Sequence, residues 1–367
     1  MKKILILTHL PLDKAPRPIR QIKWYKDKYE VHSVGTVPSG LESKFYLFRK
    51  HNKYYRIIRL IFLLFHMYEK FFWDKYKKIL VESIKDNYDI IVAHDEDTLP
   101  IAFAIRGKAK IILDSHEYLP EEENYLIWRL LFKGYFKNLC DRYLNAVDQM
   151  ITVCESISNE YEVNFGVKSI VITNAREYEE LKPNPCKDVI RIVHHGIASH
   201  SRKLELMIEM MEHLDQNYFL DLYLDAKDFD NMYLNKIKEL AKPNKRIIFN
   251  NHVPYSDIVK TLNKYDIGIF LLPPTNFSLK YALPNKFFEF IQARLALAIG
   301  PSYEMAKYVK KYDLGIISGD FDPLNMATSI MSNVNKIDYY KCNSDKVARI
   351  LSAESNKILF DRFLEGR

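Results

Sequence analysis

Tyr281-Ala-Leu-Pro-Asn-Lys-Phe-Phe-Glu-Phe-Ile-Gln-Ala293, followed by Leu295-Ala-Leu-Ala-Ile299 and Gly300-Pro301, governs how the chain is read. Pro284 is expected to open a helix, since the N–H it lacks would be unpaired in a first turn. Such a helix start directs backbone donors at whatever precedes it, with Lys286 as a cation in the first turn. This suits a diphosphate, and Glu289, one turn deeper, suits paired hydroxyls such as those of a ribose. The same two residues could equally be an i, i+3 pair on a solvated helix face. The apolar run that follows reads as a strand, which makes the stretch one helix–strand unit.

Outward from it, short β-branched runs alternate with longer helical segments, the pattern of βα units around a parallel sheet. In the first half the expected strands are Ile4–Thr8, Val31–Gly35, Asp89–Ala93, Lys110–Asp114, Met150–Val153 and Ser169–Thr173. The alternation pauses over a polar, proline-bearing stretch at 179–189, read as a linker. It resumes with Ile190–His194, Phe219–Leu224, Arg246–Phe249, Ile267–Leu271, Leu295–Ile299 and Leu314–Ile317. The expected organisation is therefore an N-terminal domain 1–178, a linker, and a C-terminal domain 190–344. A final helix within 345–367 could pack on either half.

The 367 residues, 48% hydrophobic, can build two real cores. The net charge of +7 is concentrated, because residues 41–80 hold ten Lys or Arg against three acids and so account for all of the excess. Aromatic and aliphatic residues are interleaved with those cations from 44 to 78. That composition suits the anionic surface of a membrane, or a core helix with a basic polar face. No nucleic-acid-binding module accompanies the patch. Cys140, Cys154, Cys186 and Cys342 are scattered, which argues against a disulfide framework or a zinc site. The longest apolar run, Leu60–Phe65, falls far short of the roughly 20 residues that a spanning helix needs. The N-terminus enters a strand without a signal-like segment. The expected location is the cytoplasm, at the inner face of the plasma membrane.

Ligands of open parallel sheets bind beyond the carboxyl ends of the strands. That rule selects Thr8-His9, His94-Asp95-Glu96-Asp97, Asp114-Ser115-His116-Glu117, Thr173-Asn174, His195-Gly196 and the loop before Pro284. Asp95-Glu96-Asp97 could hold a divalent metal or start a helix. Arg202 precedes an apolar-periodic segment (Leu204, Met207, Ile208, Met211, Leu214). A cation is unfavourable at such a helix start unless an anion lies nearby.

These blocks, taken in order, resemble the glycosyltransferases of family 4 ("group 1") in bacterial capsule and O-antigen assembly. They are His94-Asp-Glu-Asp-Thr-Leu-Pro100, Asp114-Ser-His-Glu117, Ile151-Thr-Val-Cys-Glu-Ser156, Asn174-Ala175, His195-Gly196 with Arg202-Lys203-Leu204-Glu205, and Leu283-Pro-Asn-Lys-Phe-Phe-Glu-Phe290. The resemblance implies a GT-B fold, α/β, with two Rossmann-like doubly wound domains facing each other across a cleft. It implies transfer of a sugar from a nucleotide-diphosphate sugar to a lipid-linked or oligosaccharide acceptor, with retention and without a required metal or cofactor.

By position, the resemblance implies that His116, Arg202 and Lys286 serve catalysis. Gly196, Lys203, Tyr281, Pro284, Asn285 and Glu289 would bind the donor, and His9, Arg17, Asp95 and Glu117 would lie on the acceptor side. The family's Glu-x7-Glu pair has Tyr281 at its first position, so the identity of the donor sugar does not carry over. A nucleotide-sugar 2-epimerase of the same architecture and a non-catalytic GT-B partner subunit remain alternative readings.

Overall fold

Thirteen strands form two all-parallel sheets in the computed structural model, which describes residues 1–226 and 231–364. The first sheet contains β1 (Lys3–Leu7), β2 (Glu30–Gly35), β3 (Lys44–Leu47), β4 (Ile90–His94), β5 (Lys110–Asp114), β6 (Gln149–Thr152) and β7 (Ile170–Val171). Their order is β3-β2-β1-β4-β5-β6-β7. The second contains β8 (Ile190–Ile197), β9 (Tyr218–Asp225), β10 (Ile247–Asn250), β11 (Ile267–Phe270), β12 (Ala296–Ile299) and β13 (Gly315–Ile317), in the order β10-β9-β8-β11-β12-β13. Each order reverses direction once, between β1 and β4 and again between β8 and β11, as in doubly wound folds. The central strands are continuously apolar because helices cover both faces of a parallel sheet. All of β4, β11 and β12 is buried.

The chain separates into two compact units. One holds Met1–Ile172 with Asn276–Ser278, and the other holds Thr173–Thr275 and Leu279–Arg367. Residues 172–187 carry neither helix nor strand. The expected strands are all present within a residue or two of their predicted ends, apart from β8, which runs three residues further, to Ile197. β3 is an addition. The basic aromatic stretch begins with this edge strand, where Tyr46 and Lys44 both donate to Asp86 Oδ2, at 2.8 and 2.7 Å. Alternation over four residues is too short to stand out in a stretch rich in aromatic residues throughout.

The C-terminal segment is two helices, Ile337–Ala348 and Ala353–Leu364, where the sequence suggested one. Ser352 interrupts them, its hydroxyl accepting from the Ser355 N–H at 3.4 Å as an N-cap does. Both helices belong to the second unit, where Asn356 donates to the Thr173 carbonyl at 2.9 Å. Positions 365–367 of the expected helix lie outside the described residues.

The helix over Asn285–Gln292 starts one residue later than predicted, since Pro284 takes the cap position in extended conformation (φ −79°, ψ 160°). The Pro284 carbonyl accepts the first helical bond from the Phe287 N–H at 3.1 Å. The helix lies tightly on β11 at Gly268, where an added Cβ would sit 2.4 Å from Cγ of Phe290. That contact fixes the depth at which the helix presents Lys286 and Glu289. Gly268→Ala should therefore lower stability by about 1–3 kcal/mol, as overpacking of a filled core does. Urea unfolding measures the effect, and an unchanged midpoint would contradict the close approach.

Candidate functional site

The second unit gathers its cations where its strand order reverses. His194, His195 and Gly196 occupy the exit end of β8, and Phe270 ends β11 beside it. Gly196 has φ +119°, a region that favours glycine. A Cβ there would meet Lys286 Nζ at 2.7 Å and Arg202 Nη1 at 3.4 Å, so two cations converge on this one backbone position. Arg202 Nη1 donates to the Ile197 carbonyl at 2.8 Å. Lys286 Nζ lies 3.4 Å from His194 Nε2 and 5.2 Å from the centre of the Phe270 ring. His194 Nδ1 lies 2.8 Å from the Ile269 carbonyl and must donate there, which leaves Nε2 as an acceptor for the lysine. His194, Arg202, Leu204, Met207, Phe270 and Lys286 line a small pocket.

Its electrostatics favour an anion. Burial, with Arg202 close by, pushes the Lys286 ammonium well below its ordinary range. Burial and the neighbouring lysine likewise hold His194 neutral. Glu289, also buried, lies 3.2 Å from His195 Nε2 through Oε2 and 3.3 Å from Arg176 Nη1 through Oε1. Burial alone would raise its carboxyl, but His195, Arg176 and Lys286 bring it below the usual range, so it is ionised. Each carboxylate oxygen keeps further acceptor capacity beyond these contacts.

The remaining donor-side expectations are distributed around this centre. Asn285 and Pro284 are half-buried at the helix start, and Lys203 is exposed in left-handed backbone (φ 48°) after the short turn His200–Arg202. Tyr281 is half-buried, its ring edge-on to Tyr303 at 5.5 Å. The apolar periodicity after Arg202 holds, with Leu204, Met207, Ile208, Met211 and Leu214 all in the core of the second unit.

The first unit has its own polar cluster at the exits of β1, β4 and β5. Arg17 makes paired contacts with the fully buried Asp114, through Nε at 2.8–2.9 Å and Nη2 at 2.7 Å. Its Nη1 donates to the Ile172 carbonyl at 2.7 Å. Gln21 Nε2 donates to Asp114 Oδ2 at 2.6 Å, so its Oε1 accepts from His94 Nε2–H at 3.1 Å. Neutral His94 then accepts at Nδ1 from His116 Nε2–H at 3.0 Å. A chain of donors thus runs from His116 to Asp114 and fixes the tautomer of both imidazoles. Burial takes His94 down to about 3 and His116 to about 4, against the pull of Asp114. Asp114 itself, which burial would raise, is held well below the carboxylate range by Arg17 and the two imidazoles.

The other first-unit candidates face different partners. His9 Nδ1 pairs with Asp97 at 3.1 Å, and that carboxylate raises the imidazole to about 9. Asp95 accepts the His116 backbone N–H at 2.9 Å, has positive φ (65°), and is raised to about 6 by burial and by Asp97. Burial, with Glu122 and Asp95 nearby, takes Glu117 to about 8. Arg17 was expected on the acceptor side, but the structure buries it against Asp114 as a support for the histidine chain. Gln21, His94 and Arg176 were not among the expected site residues. His94 was legible as a strand end, whereas Gln21 and Arg176 are brought in from elements that give no local signal.

Asp95, Glu96 and Asp97 do not form one metal-binding group. Asp95 turns to His116, Asp97 to His9, and Glu96 is fully buried, accepting from the Tyr161 hydroxyl at 2.6 Å. Among the described residues, His94, Asp114 and His116 are the one group whose ligand atoms lie within 4.8 Å of one another. Their donors are already engaged with each other and with Arg17 and Gln21, so a metal would have to displace those bonds.

Residues 24–180 match the family model described as Glycosyltransferase Family 4. No curated protein matches the chain in sequence. Among solved structures, HepE of Anabaena in complex with UDP is similar with a TM-score of 0.71 at 12% identity, covering 100% of both chains. Sucrose-phosphate synthase of Thermosynechococcus elongatus gives a TM-score of 0.73 at 10% identity, covering 100% of this chain and 99% of that one. A glycosyltransferase of Rickettsia africae gives 0.71 at 12% identity, covering 100% of this chain and 98% of that one. With its two Rossmann-like parallel sheets, the chain has the GT-B fold.

Proposed function

We propose that this chain is a glycosyltransferase that takes a sugar from a nucleotide-diphosphate donor held by the second unit. The convergence of Lys286 and Arg202 on the bare backbone of Gly196 carries the reading. Two cations held this close, one buried and short of counter-charge, form a site whose electrostatic cost a diphosphate removes. Glu289, buried and ionised nearby, accepts ribose hydroxyls. Lys286 and Arg202 then stabilise the negative charge that grows on the departing diphosphate. Support comes from the family match over residues 24–180 and from the similar HepE structures, one with UDP and another with UDP-glucose.

The donor chemistry runs with retention, as the family resemblance implies, and without a metal, because side-chain cations meet the phosphate charge. His116, kept neutral by burial and oriented by its hydrogen-bond chain, acts as a hydrogen-bonding group toward sugar hydroxyls and not as a base. The acceptor, a lipid-linked saccharide of bacterial surface polysaccharide assembly, binds on the first unit near His9, Asp95 and Glu117. Residues 44–78 bring the protein to the anionic inner face of the membrane where such acceptors lie.

The test is a thermal-shift screen over UDP-, GDP-, ADP- and dTDP-sugars. A ligand at 100 times its Kd should stabilise by about 2.7 kcal/mol. Glu289→Gln should remain folded and lose most of that shift, and a full shift in the variant would remove Glu289 from the donor site. Nucleotide binding should also take up protons. Lys286 sits well below its ordinary range when the site is free, and a diphosphate raises it again. Affinity should therefore fall as pH rises through the bound-state value. Calorimetry in buffers of different ionisation enthalpy measures the uptake, and proton release would contradict the assignment. Sugar transfer should persist in excess chelator. Loss of activity there, restored by a divalent cation, would overturn the metal-free reading. Conversion of the nucleotide-sugar without acceptor would instead favour an epimerase.

A further inference from the structure

The first unit exposes apolar side chains from two stretches far apart in sequence. In the helices Lys53–Arg59 and Ile61–Leu64 and the turn that follows, Ile58, Ile61, Leu64 and Phe65 are 52, 50, 61 and 69% exposed. Around the single helical turn Leu126–Trp128, Leu126, Ile127 and Leu130 are 74, 72 and 69% exposed. The two stretches are packed together. Ile61–Leu64 contacts the turn Arg129–Lys133, and the Phe71 ring lies 6.1 Å from Phe132 and 5.0 Å from Tyr135.

The scaffold beneath is tied together by one buried side chain. Arg59 is buried, its guanidinium bonded to Asp74 at 3.0 Å and to the carbonyls of Lys70 at 2.6 Å, Trp73 at 3.0 Å and Phe71. Exposure on this scale is therefore a property of the folded surface, and contiguous apolar patches on a folded protein mark interaction sites.

The charge around the patch indicates the partner. Lys53 and Arg56 on the first helix and Arg129 after the second stretch are exposed, as are Lys50 just before the helix Lys53–Arg59 and Lys70 on the following helix Tyr68–Phe72. Of the acids on and beside these elements, Asp74 is buried under Arg59 and Lys77, Glu69 is paired with Arg142 and Glu121 with Lys133, and Glu122 and Glu123 are half-buried before residue 125. Apolar tips within a cationic rim fit an interface of acyl chains and anionic headgroups. Among the described residues no helix is long and apolar enough to cross a membrane, so such a surface would lie in the headgroup layer.

We propose that residues 125–130 and residues 57–65 form one membrane-inserting surface, with the basic residues around them binding anionic lipid headgroups. This extends the membrane reading of 44–78 to a second segment that the sequence did not mark. It is independent of which sugar chemistry the protein performs.

The experiment is co-sedimentation with phosphatidylcholine vesicles, with and without phosphatidylglycerol, at low and high salt. Binding should require the anionic lipid and weaken about tenfold or more at high salt. The double variant Leu126→Glu, Ile127→Glu should lose about tenfold or more in vesicle binding. Its circular dichroism melt and nucleotide-induced thermal shift should match the unmodified protein, which separates lipid docking from folding and from donor binding. Vesicle binding unaffected by the double variant would overturn the second segment's role. Absence of vesicle binding, or a dimer that the same variant dissociates, would overturn the lipid assignment.

Discussion

The close approach of Phe290 to Gly268 is the constraint on which the donor-side geometry rests. Because β11 offers no side chain there, the helix Asn285–Gln292 settles against the sheet and brings Lys286 over the backbone of Gly196. The same seating buries Glu289 within reach of His195 and Arg176. Two glycines thus do complementary work, one letting a helix descend and the other leaving room for the cations that the helix delivers. The cost is a buried ammonium beside a guanidinium, an arrangement that an anionic ligand relieves.

The two units treat their buried polar groups in opposite ways. In the first, Arg17, Asp114, Gln21, His94 and His116 pass hydrogen bonds along a chain, and the charged pair at its inner end is matched. Such a network orients His116 while burial holds it neutral, so its use is geometric. In the second, Lys286 and Arg202 converge on the backbone of Gly196, and burial beside the guanidinium pushes the lysine well below its ordinary range. A positioned neutral imidazole and a pair of converging basic side chains are different tools, one suited to hydroxyls and the other to phosphates.

The exposed ridge on the first unit follows a third logic. Arg59 and Asp74 are consumed inside a small helical scaffold, so part of the basic stretch is structural cement. What remains on the surface is cationic and apolar together. Counting charges along residues 41–80 detected the excess but could not separate the arginine that holds the scaffold from the lysines that face solvent.

The sequence by itself determined the two parallel α/β sheets, because buried strands must be continuously apolar and their spacing leaves room only for crossover helices. It also determined the strand exits, and hence His116 and Gly196 as candidates, since ligands of such sheets gather there, and the helix start at Pro284, and hence Lys286 and Glu289. Only the tertiary structure decided the partners. Gln21 reaches His94 across 73 positions and Arg176 reaches Glu289 across 113, distances over which no periodicity carries information. Arg17 went from a presumed ligand contact to an internal support for the same reason. Whether a polar side chain meets a ligand or another side chain depends on what the fold packs against it, and local sequence does not encode that neighbour.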